Sequence, residues 1–322
     1  MEQSFFYVVM ENVLEVRKGE HVGAILLNSL GLFVIILIGY LTKRLNLLMK
    51  ADGSMISKIV VNVTLPAAII VNLQYLAVKN QLLLLIVAGL VLNLVMILIG
   101  HFLSRKQEQV EREFLMYGVS GYNIGNFAIP FVQSFIPQAI PILSFFDIGN
   151  SVMLAGGSNV VIEGISGSDE ERPSVKKVLG RLFRSVPFLC YLIMLSLRIL
   201  ELDLPEAVFQ LAQPIADANT FLSMFMIGLF LELRLPKKDL ALVGRVLAIK
   251  YGAGLLLVAF FMLLPFPAMI KIVLCLVSVG PIPTFGVINS VAAGMRAEVV
   301  GFTSSLSFLI SLPLMTSLLI FL

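Results

Sequence analysis

Apolar runs of about 20 residues recur along this chain, and each is long enough to cross a hydrocarbon core roughly 30 Å thick. Inside lipid no water is present to bond an exposed N–H or C=O, so a spanning segment must be a helix or part of a closed barrel. No alternating ten-residue strand pattern suggests a barrel. Composition agrees. Hydrophobic residues make up 58% of the chain and charged ones 13%, against roughly 45–50% and about 25% in soluble domains. The sequence therefore predicts an all-α, polytopic membrane protein.

Reading the apolar runs between charged or Pro/Gly punctuation places ten spans. They fall at 22–42, 57–77, 81–103, 113–136 and 139–162, then 178–199, 207–232, 241–264, 268–293 and 298–321. The second and seventh are the least hydrophobic. Numbering the connections alternately puts 17 Lys and Arg residues on one side, from Lys43 and Arg44 to Arg296. Five lie on the other: Arg17, Lys18, Lys79, Arg198 and Lys271. Under the positive-inside rule this asymmetry makes the first side cytoplasmic and both termini non-cytoplasmic. Residues 1–20 form an N-terminal lead whose first 16 residues carry three Glu and no Lys or Arg. That pattern predicts an amphipathic helix rather than a cleaved signal. The two cysteines, Cys190 and Cys275, sit in apolar spans and read as small buried hydrophobes.

Five spans per half is odd, so the second half must enter the membrane the opposite way round. Residues 21–162 and 178–322 then form inverted repeats joined by a cytoplasmic linker, 163–177. Pro66 pairs with Pro214 at an offset of 148, and Pro130 with Pro281 at an offset of 151. The fourth and ninth spans are interrupted at matching places, Gly121-Tyr-Asn123-Ile124-Gly125-Asn126-Phe-Ala-Ile-Pro130 and Gly280-Pro281-Ile-Pro283-Thr284-Phe-Gly-Val-Ile-Asn289. A span built only to cross lipid has no use for these residues, because Gly loosens a helix, Pro removes a donor and amides need partners. Paired interruptions in two halves point to a transporter's binding site.

The chemistry follows from the breaks. A half-helix that starts mid-membrane presents N–H groups and partial positive charge, which attract a carboxylate without a buried Arg or Lys. Asn123 and Asn126 can donate to carboxylate oxygens, and Asn289 can do so from the other repeat. The bland alternative is that these amides only satisfy loose backbone. Asn62, one turn before Pro66, is expected to line the same face beside the cavity, with Ile124 and Thr284 completing the lining. Gly121, Gly125, Pro130, Pro66, Gly280, Pro281 and Pro283 are the hinge and crossover candidates. Asp147 lies a third of the way into span five with Asn150 almost a turn further on. It is either a carrier of a coupling proton or a structural acceptor at a broken helix. Lys250, with Asp147 and Asn150 a candidate for proton or ion coupling, either counters the substrate's charge or pairs with a carboxylate, or snorkels to the interface. Glu232, beside a basic loop, reads as half of an interfacial ion pair. His21 and His101 at span ends read as interfacial.

Four stretches resemble the auxin efflux carrier family, which includes bacterial malonate- or malate-type carriers and plant PIN-type auxin exporters. They are Asn62-Val-Thr-Leu-Pro66-Ala, Asn123-Ile-Gly-Asn-Phe-Ala-Ile-Pro130, Phe146-Asp147-Ile-Gly-Asn150, and Ile215-Ala-Asp217-Ala with Met226-Ile-Gly228-Leu-Phe. Pro281 and Ser311-Leu-Pro313 extend the match. The resemblance covers the whole transmembrane core. It implies ten helices of the bile-acid-symporter and antiporter kind, with spans four and nine broken and crossing near the midplane. It also implies a homodimer in the cell membrane. The second crossover departs from the pattern through its extra proline, Pro283. The large hydrophilic loop of the long plant members is missing, which favours a prokaryotic carrier.

The resulting expectation is a secondary or potential-driven carrier of a small organic anion, a mono- or dicarboxylate, with H+ or Na+ as coupling ion where import needs one. No cofactor, metal or nucleic acid is called for, since the basic residues are scattered through topogenic loops. The alternatives are a sodium- or proton-coupled symporter or antiporter of the bile-acid type, and a membrane sensor built on a transporter fold. An antiporter should show two adjacent deep carboxylates near the crossover, which are missing here. An enzyme is disfavoured, since no His-Glu-x-x-His, paired catalytic aspartates or nucleophile elbow appears.

Overall fold

The computed structural model describes residues 19–74, 80–167, 174–234 and 239–322. The expected amphipathic lead, residues 1–16, and the middle of the 163–177 linker lie outside them. Every regular element among the described residues is helical: α1 (Gly19–Arg44), α2 (Lys50–Ile59), α3 (Leu65–Asn72), α4 (Asn80–Ser104), α5 (Gln109–Val119), α6 (Ile129–Phe135), α7 (Ile140–Val152) and α8 (Ser158–Ser166). There follow α9 (Val175–Leu182), α10 (Val186–Ile199), α11 (Glu206–Phe230), α12 (Leu240–Leu263), α13 (Ala268–Ser278), α14 (Thr284–Ala292) and α15 (Ala297–Phe321).

Six stretches among these are long and apolar enough to cross a membrane, and a seventh counts if a bent pair is taken as one span. The bent pair is a correction to the sequence reading. The span expected at 178–199 is two helices, α9 and α10, meeting at 77°. Pro187 sits in the first turn of α10, where its missing N–H is tolerated. The expected weakness of the seventh span is real. At 25 residues α11 is long enough, but it is not one of the apolar stretches, because Gln213, Asp217, Asn219 and Thr220 punctuate it.

Three short π turns interrupt the spans, at Val60–Thr64, Ile124–Ala128 and Met153–Gly157. The first two end two residues before a proline, Pro66 and Pro130. A proline ring clashes with the preceding turn and lacks the N–H for its bond, and a widened turn relieves both. The kink expected at Pro66 is thus carried by a π turn, whereas Pro214 lies inside an unbroken α11.

Two groups of helices emerge from the packing. In one, α11 lies against α1, α2 and α3, with α10 on α3. In the other, α4 packs on α7 and α5, and α12 on α13 and α5. Small residues set the closest approaches in both. A Cβ on Gly39 would lie 2.2 Å from Phe225 O, and one on Gly228 2.1 Å from Ile36 O. A Cβ on Gly89 would lie 2.3 Å from Phe146 O, and one on Gly149 1.9 Å from Ile86 O. Lipid offers no hydrophobic drive for helix association, so backbone approach of this kind supplies the dispersion contacts that hold spans together. Gly228→Leu should therefore separate α1 from α11 and remove about 3 kcal/mol or more of stability. Thermal unfolding of the detergent-solubilised protein reads this directly. Gly244, with no atom within 4 Å of its would-be Cβ, should accept alanine without loss.

Candidate functional site

The two interrupted spans meet. Helix α5 ends at Val119, the chain turns extended at Ser120, and Gly121 takes a left-handed φ of 75°. A side chain there would be strained, and a Cβ would also lie 2.7 Å from Pro283 Cγ. The opposite break runs from the end of α13 through Gly280, Pro281, Ile282 and Pro283 to the start of α14. Pro281, Ile282 and Pro283 are all buried against the first break. Asn123, itself buried, donates from Nδ2 to Ile282 O at 3.2 Å and so ties one break to the other. Asn126 reaches towards the same place, with Nδ2 3.5 Å from Thr284 Oγ1. Thr284 and Phe285, the first two residues of α14, are exposed. Ile124 is buried beside Asn123, and a Cβ on Gly125 would lie 2.7 Å from Leu65 Cδ2.

Breaking a helix frees backbone groups, and identifiable side chains take up several of them. Asn150 is fully buried and uses its whole bonding capacity. Its Nδ2 donates to Tyr122 O at 3.0 Å and Asp147 Oδ1 at 2.9 Å. Its Oδ1 accepts from Tyr122 N at 3.2 Å and Asn93 Nδ2 at 3.1 Å. The amide thus replaces a neighbouring peptide for Tyr122, where the helix no longer provides one. Asp147 is held in turn: Tyr191 Oη, from α10, donates to its Oδ2 at 3.0 Å. Lys250 is 1% exposed and does not snorkel. Its Nζ donates to Val119 O at 3.3 Å and approaches Gly121 O at 3.5 Å, with the Tyr122 ring centroid 6.0 Å away. The snorkelling alternative is overturned because the carbonyls left at the end of α5, the negative end of its dipole, provide a partner for the ammonium inside the bundle. None of the ion pairs among the described residues involves Lys250.

The second break is bonded from α15. Ile282 N donates to Ser307 Oγ at 3.1 Å, and Ser311 Oγ donates to Val279 O at 2.7 Å. Tyr251 Oη, from α12, donates to Ser307 O at 2.6 Å and lies 2.9 Å from Ser311 Oγ. Sequence reasoning passed over Asn93, Tyr191, Tyr251 and Ser307. The signal available was an isolated amide in the most apolar span and a run of serines, Ser304, Ser305, Ser307 and Ser311, in the last one.

Other candidates stand away from this crossing. Asn62 does not share the buried face of Pro66: it is exposed and donates back to Lys58 O at 2.8 Å, within its own helix. From Thr64 to Ile69 every residue is buried on whichever side it falls, whereas Asn62 belongs to the preceding turn, where Val63 is also exposed. Pro66 is buried. Pro130 is buried in the first turn of α6, and its carbonyl accepts from Thr220 Oγ1 at 3.3 Å. Gly280 is buried, its N–H bonded to Val277 O at 2.9 Å. Asn289 lies lower on α14 and donates to Asn159 Oδ1 of α8 at 2.9 Å. Glu232 pairs with Lys50 at 3.1 Å and Lys43 at 3.9 Å, as its position beside a basic loop suggests. His101 is at the end of α4, with its ring against Phe102. The side chain of His21 lies outside the described residues. Both cysteines are free thiols, Cys275 buried and Cys190 partly so.

Two apolar-span breaks facing one another across an amide bond, inside a helical membrane protein, correspond to the residues on which the resemblance rested. The sequence model of a family described as membrane transport protein matches residues 24–318. The chain belongs to that family, the auxin efflux carrier type of membrane transporter. The match runs over almost the whole chain, from the start of α1 to the end of α15, so it covers both breaks and every residue that bonds them. It is a transporter family rather than an enzyme family. No curated protein matches the chain.

The bonding of Asn150 has a consequence for stability. Asn150→Leu keeps the volume but leaves the Tyr122 backbone groups, Asp147 Oδ1 and Asn93 Nδ2 short of partners. At about 1–3 kcal/mol per buried orphan, loss of folded protein is expected. Asn289→Leu, at a half-buried pair, should lower the melting temperature far less. Fluorescence-detected size-exclusion chromatography after a heat step distinguishes the two.

Proposed function

We propose that this protein is a secondary or potential-driven carrier of a small organic anion, a mono- or dicarboxylate of the malonate or malate type, working by alternating access at the helix crossing. The observation that carries the reading is the Asn123–Ile282 bond between two breaks whose helix-end carbonyls, Val119 O and Val279 O, are bonded while the start of α14 stays open at Thr284 and Phe285. Lys250 occupies the carbonyl end of α5, and Ser311 the carbonyl of Val279. The partial positive charge at the half-helix starts is left for a substrate carboxylate. Asn126 Oδ1, buried with no partner among the described residues, adds an acceptor for a substrate hydroxyl or a water.

In this reading the chain has ten spans in two inverted five-span repeats, with both termini on the non-cytoplasmic side. The element order supports it: α1, α2–α3, α4, α5–α6 and α7–α8 are followed by α10, α11, α12, α13–α14 and α15. The group built on α4, α5, α7, α12 and α13 moves as one body against the group built on α1, α2, α3, α10 and α11. Asp147 sits at the seam of these groups, bonded to Tyr191 of the other group. It is the first residue to test as a proton carrier. Export needs no coupling ion, because an interior-negative potential favours anion exit by about 2.3 kcal/mol per charge per 100 mV. The working unit is a homodimer in the cell membrane.

The test is flux into proteoliposomes, using malonate and malate under imposed voltage, pH and sodium gradients. The native protein should move at least one of them. Asn123→Ala should weaken its apparent affinity by about ten-fold, the equivalent of one lost hydrogen bond to an ion. Asp147→Asn should leave voltage-driven flux and abolish its response to a pH gradient. Flux by none of the gradients would overturn the carrier reading, and a sodium-dependent, pH-independent flux would favour the bile-acid-type symporter.

A further inference from the structure

The bend between α9 and α10 leaves a short basic helix with no role in the crossing. Ser174 caps it, its Oγ accepting from Lys177 N at 3.3 Å. Its residues sort around the axis at 100° per residue. Val178 and Leu182 face the protein, half-buried and buried. Val175, Leu179 and Phe183 form the adjoining stripe and are 75%, 47% and 57% exposed. Lys177, Arg181 and Arg184 occupy the opposite arc and Lys176 borders the stripe beside Phe183, all four exposed. An apolar stripe beside a cationic arc is the pattern of a helix lying in the membrane interface plane. The 77° turn into the apolar α10 sets the helix across the span instead of along it.

The attachment is specific. Arg181 donates to Ala155 O at 3.2 Å, in the π turn Met153–Gly157 of the fifth span. Gly156 there has φ 149°, and a Cβ on it would lie 2.9 Å from Val178 Cγ2. Arg181 is therefore committed to the protein, while no bond or ion pair among those of the described residues ties the side chains of Lys176, Lys177 or Arg184. The same π turn packs against α14, so a force on α9 reaches the second break through one layer.

We infer that α9 is an interfacial anchor that binds anionic phospholipid headgroups on the basic side of the membrane through Lys176, Lys177 and Arg184, with Val175, Leu179 and Phe183 set among the acyl chains. The partner is argued from charge and from continuity. The three cations lie on the side that holds 17 of the basic residues, and the apolar stripe continues into the apolar helix α10. Each Lys or Arg near an anionic surface strengthens binding roughly five-fold, so the three together amount to roughly a hundred-fold.

The test uses the purified full chain and does not depend on its substrate. Phosphatidylglycerol titrated into the detergent-solubilised protein should raise its melting temperature, whereas phosphatidylcholine and inorganic phosphate should not. The K176Q/K177Q/R184Q variant should melt like the native protein without added lipid and need roughly a hundred-fold more phosphatidylglycerol for the same rise. The K176R/K177R/R184K variant should respond as the native protein does. A nitroxide on Leu179→Cys, with Cys190 and Cys275 replaced by Ser, should be accessible to oxygen in vesicles, and one on Gly180→Cys to a water-soluble relaxant. An unchanged lipid response in the glutamine variant would overturn the proposal. So would an equal response to inorganic phosphate, or dipolar broadening between Leu179 labels showing that a second copy covers the stripe.

Discussion

Everything at the crossing depends on one constraint: a backbone group freed in the membrane interior must find a partner inside the protein, because lipid offers none. The two breaks meet it differently. At the first, a side-chain amide stands in for a peptide, with Asn150 bonding both the N–H and the C=O of Tyr122, and Lys250 takes the carbonyls at the end of α5. At the second, hydroxyls from α15 do the work, Ser307 for Ile282 N and Ser311 for Val279 O. Asn123 then joins the breaks directly. These partners come from α7, α12 and α15, so the crossing exists only when those helices are packed.

That packing explains why the glycines matter where they do. Gly89 and Gly149 let α4 and α7 touch backbone to backbone, and α7 is the helix that carries Asp147 and Asn150. Gly39 and Gly228 do the same for α1 and α11 in the other group. Tyr191 to Asp147 joins the two groups, while α6 is tied to α11 by Thr220 to Pro130 O and Gln133 to Ala216 O at 3.1 Å.

Much of this was legible before the structure. Length and hydropathy give the helices because lipid admits little else, and the Gly, Asn and Pro clusters mark the breaks because each residue type is disfavoured in an uninterrupted span. Ion pairing of Glu232 follows from its place beside a basic loop. Other readings failed for reasons of direction. Asn62 and Pro66 are four residues apart and share a face, but the helix is enclosed only from Thr64 onward, so Asn62 one turn earlier is exposed and bonds Lys58 O. Lys250 reads as a snorkelling stem when its neighbours are unknown. Span six reads as one apolar run because a window average cannot see a 77° bend.

By itself the sequence determined that the chain is a helical membrane protein with two matching interruptions, and it determined the family, since motif order survives without coordinates. Only the tertiary structure decided which side chains serve those interruptions. Asn93, Tyr191, Tyr251 and Ser307 each lie on a different helix from the break they support, directly or through Asn150, Asp147 or Ser311. Nothing in their local spacing aims them there. Hydrogen-bond partners are set by distance and angle between packed helices, and those are fixed by glycine contacts and bends that one-dimensional periodicity does not encode.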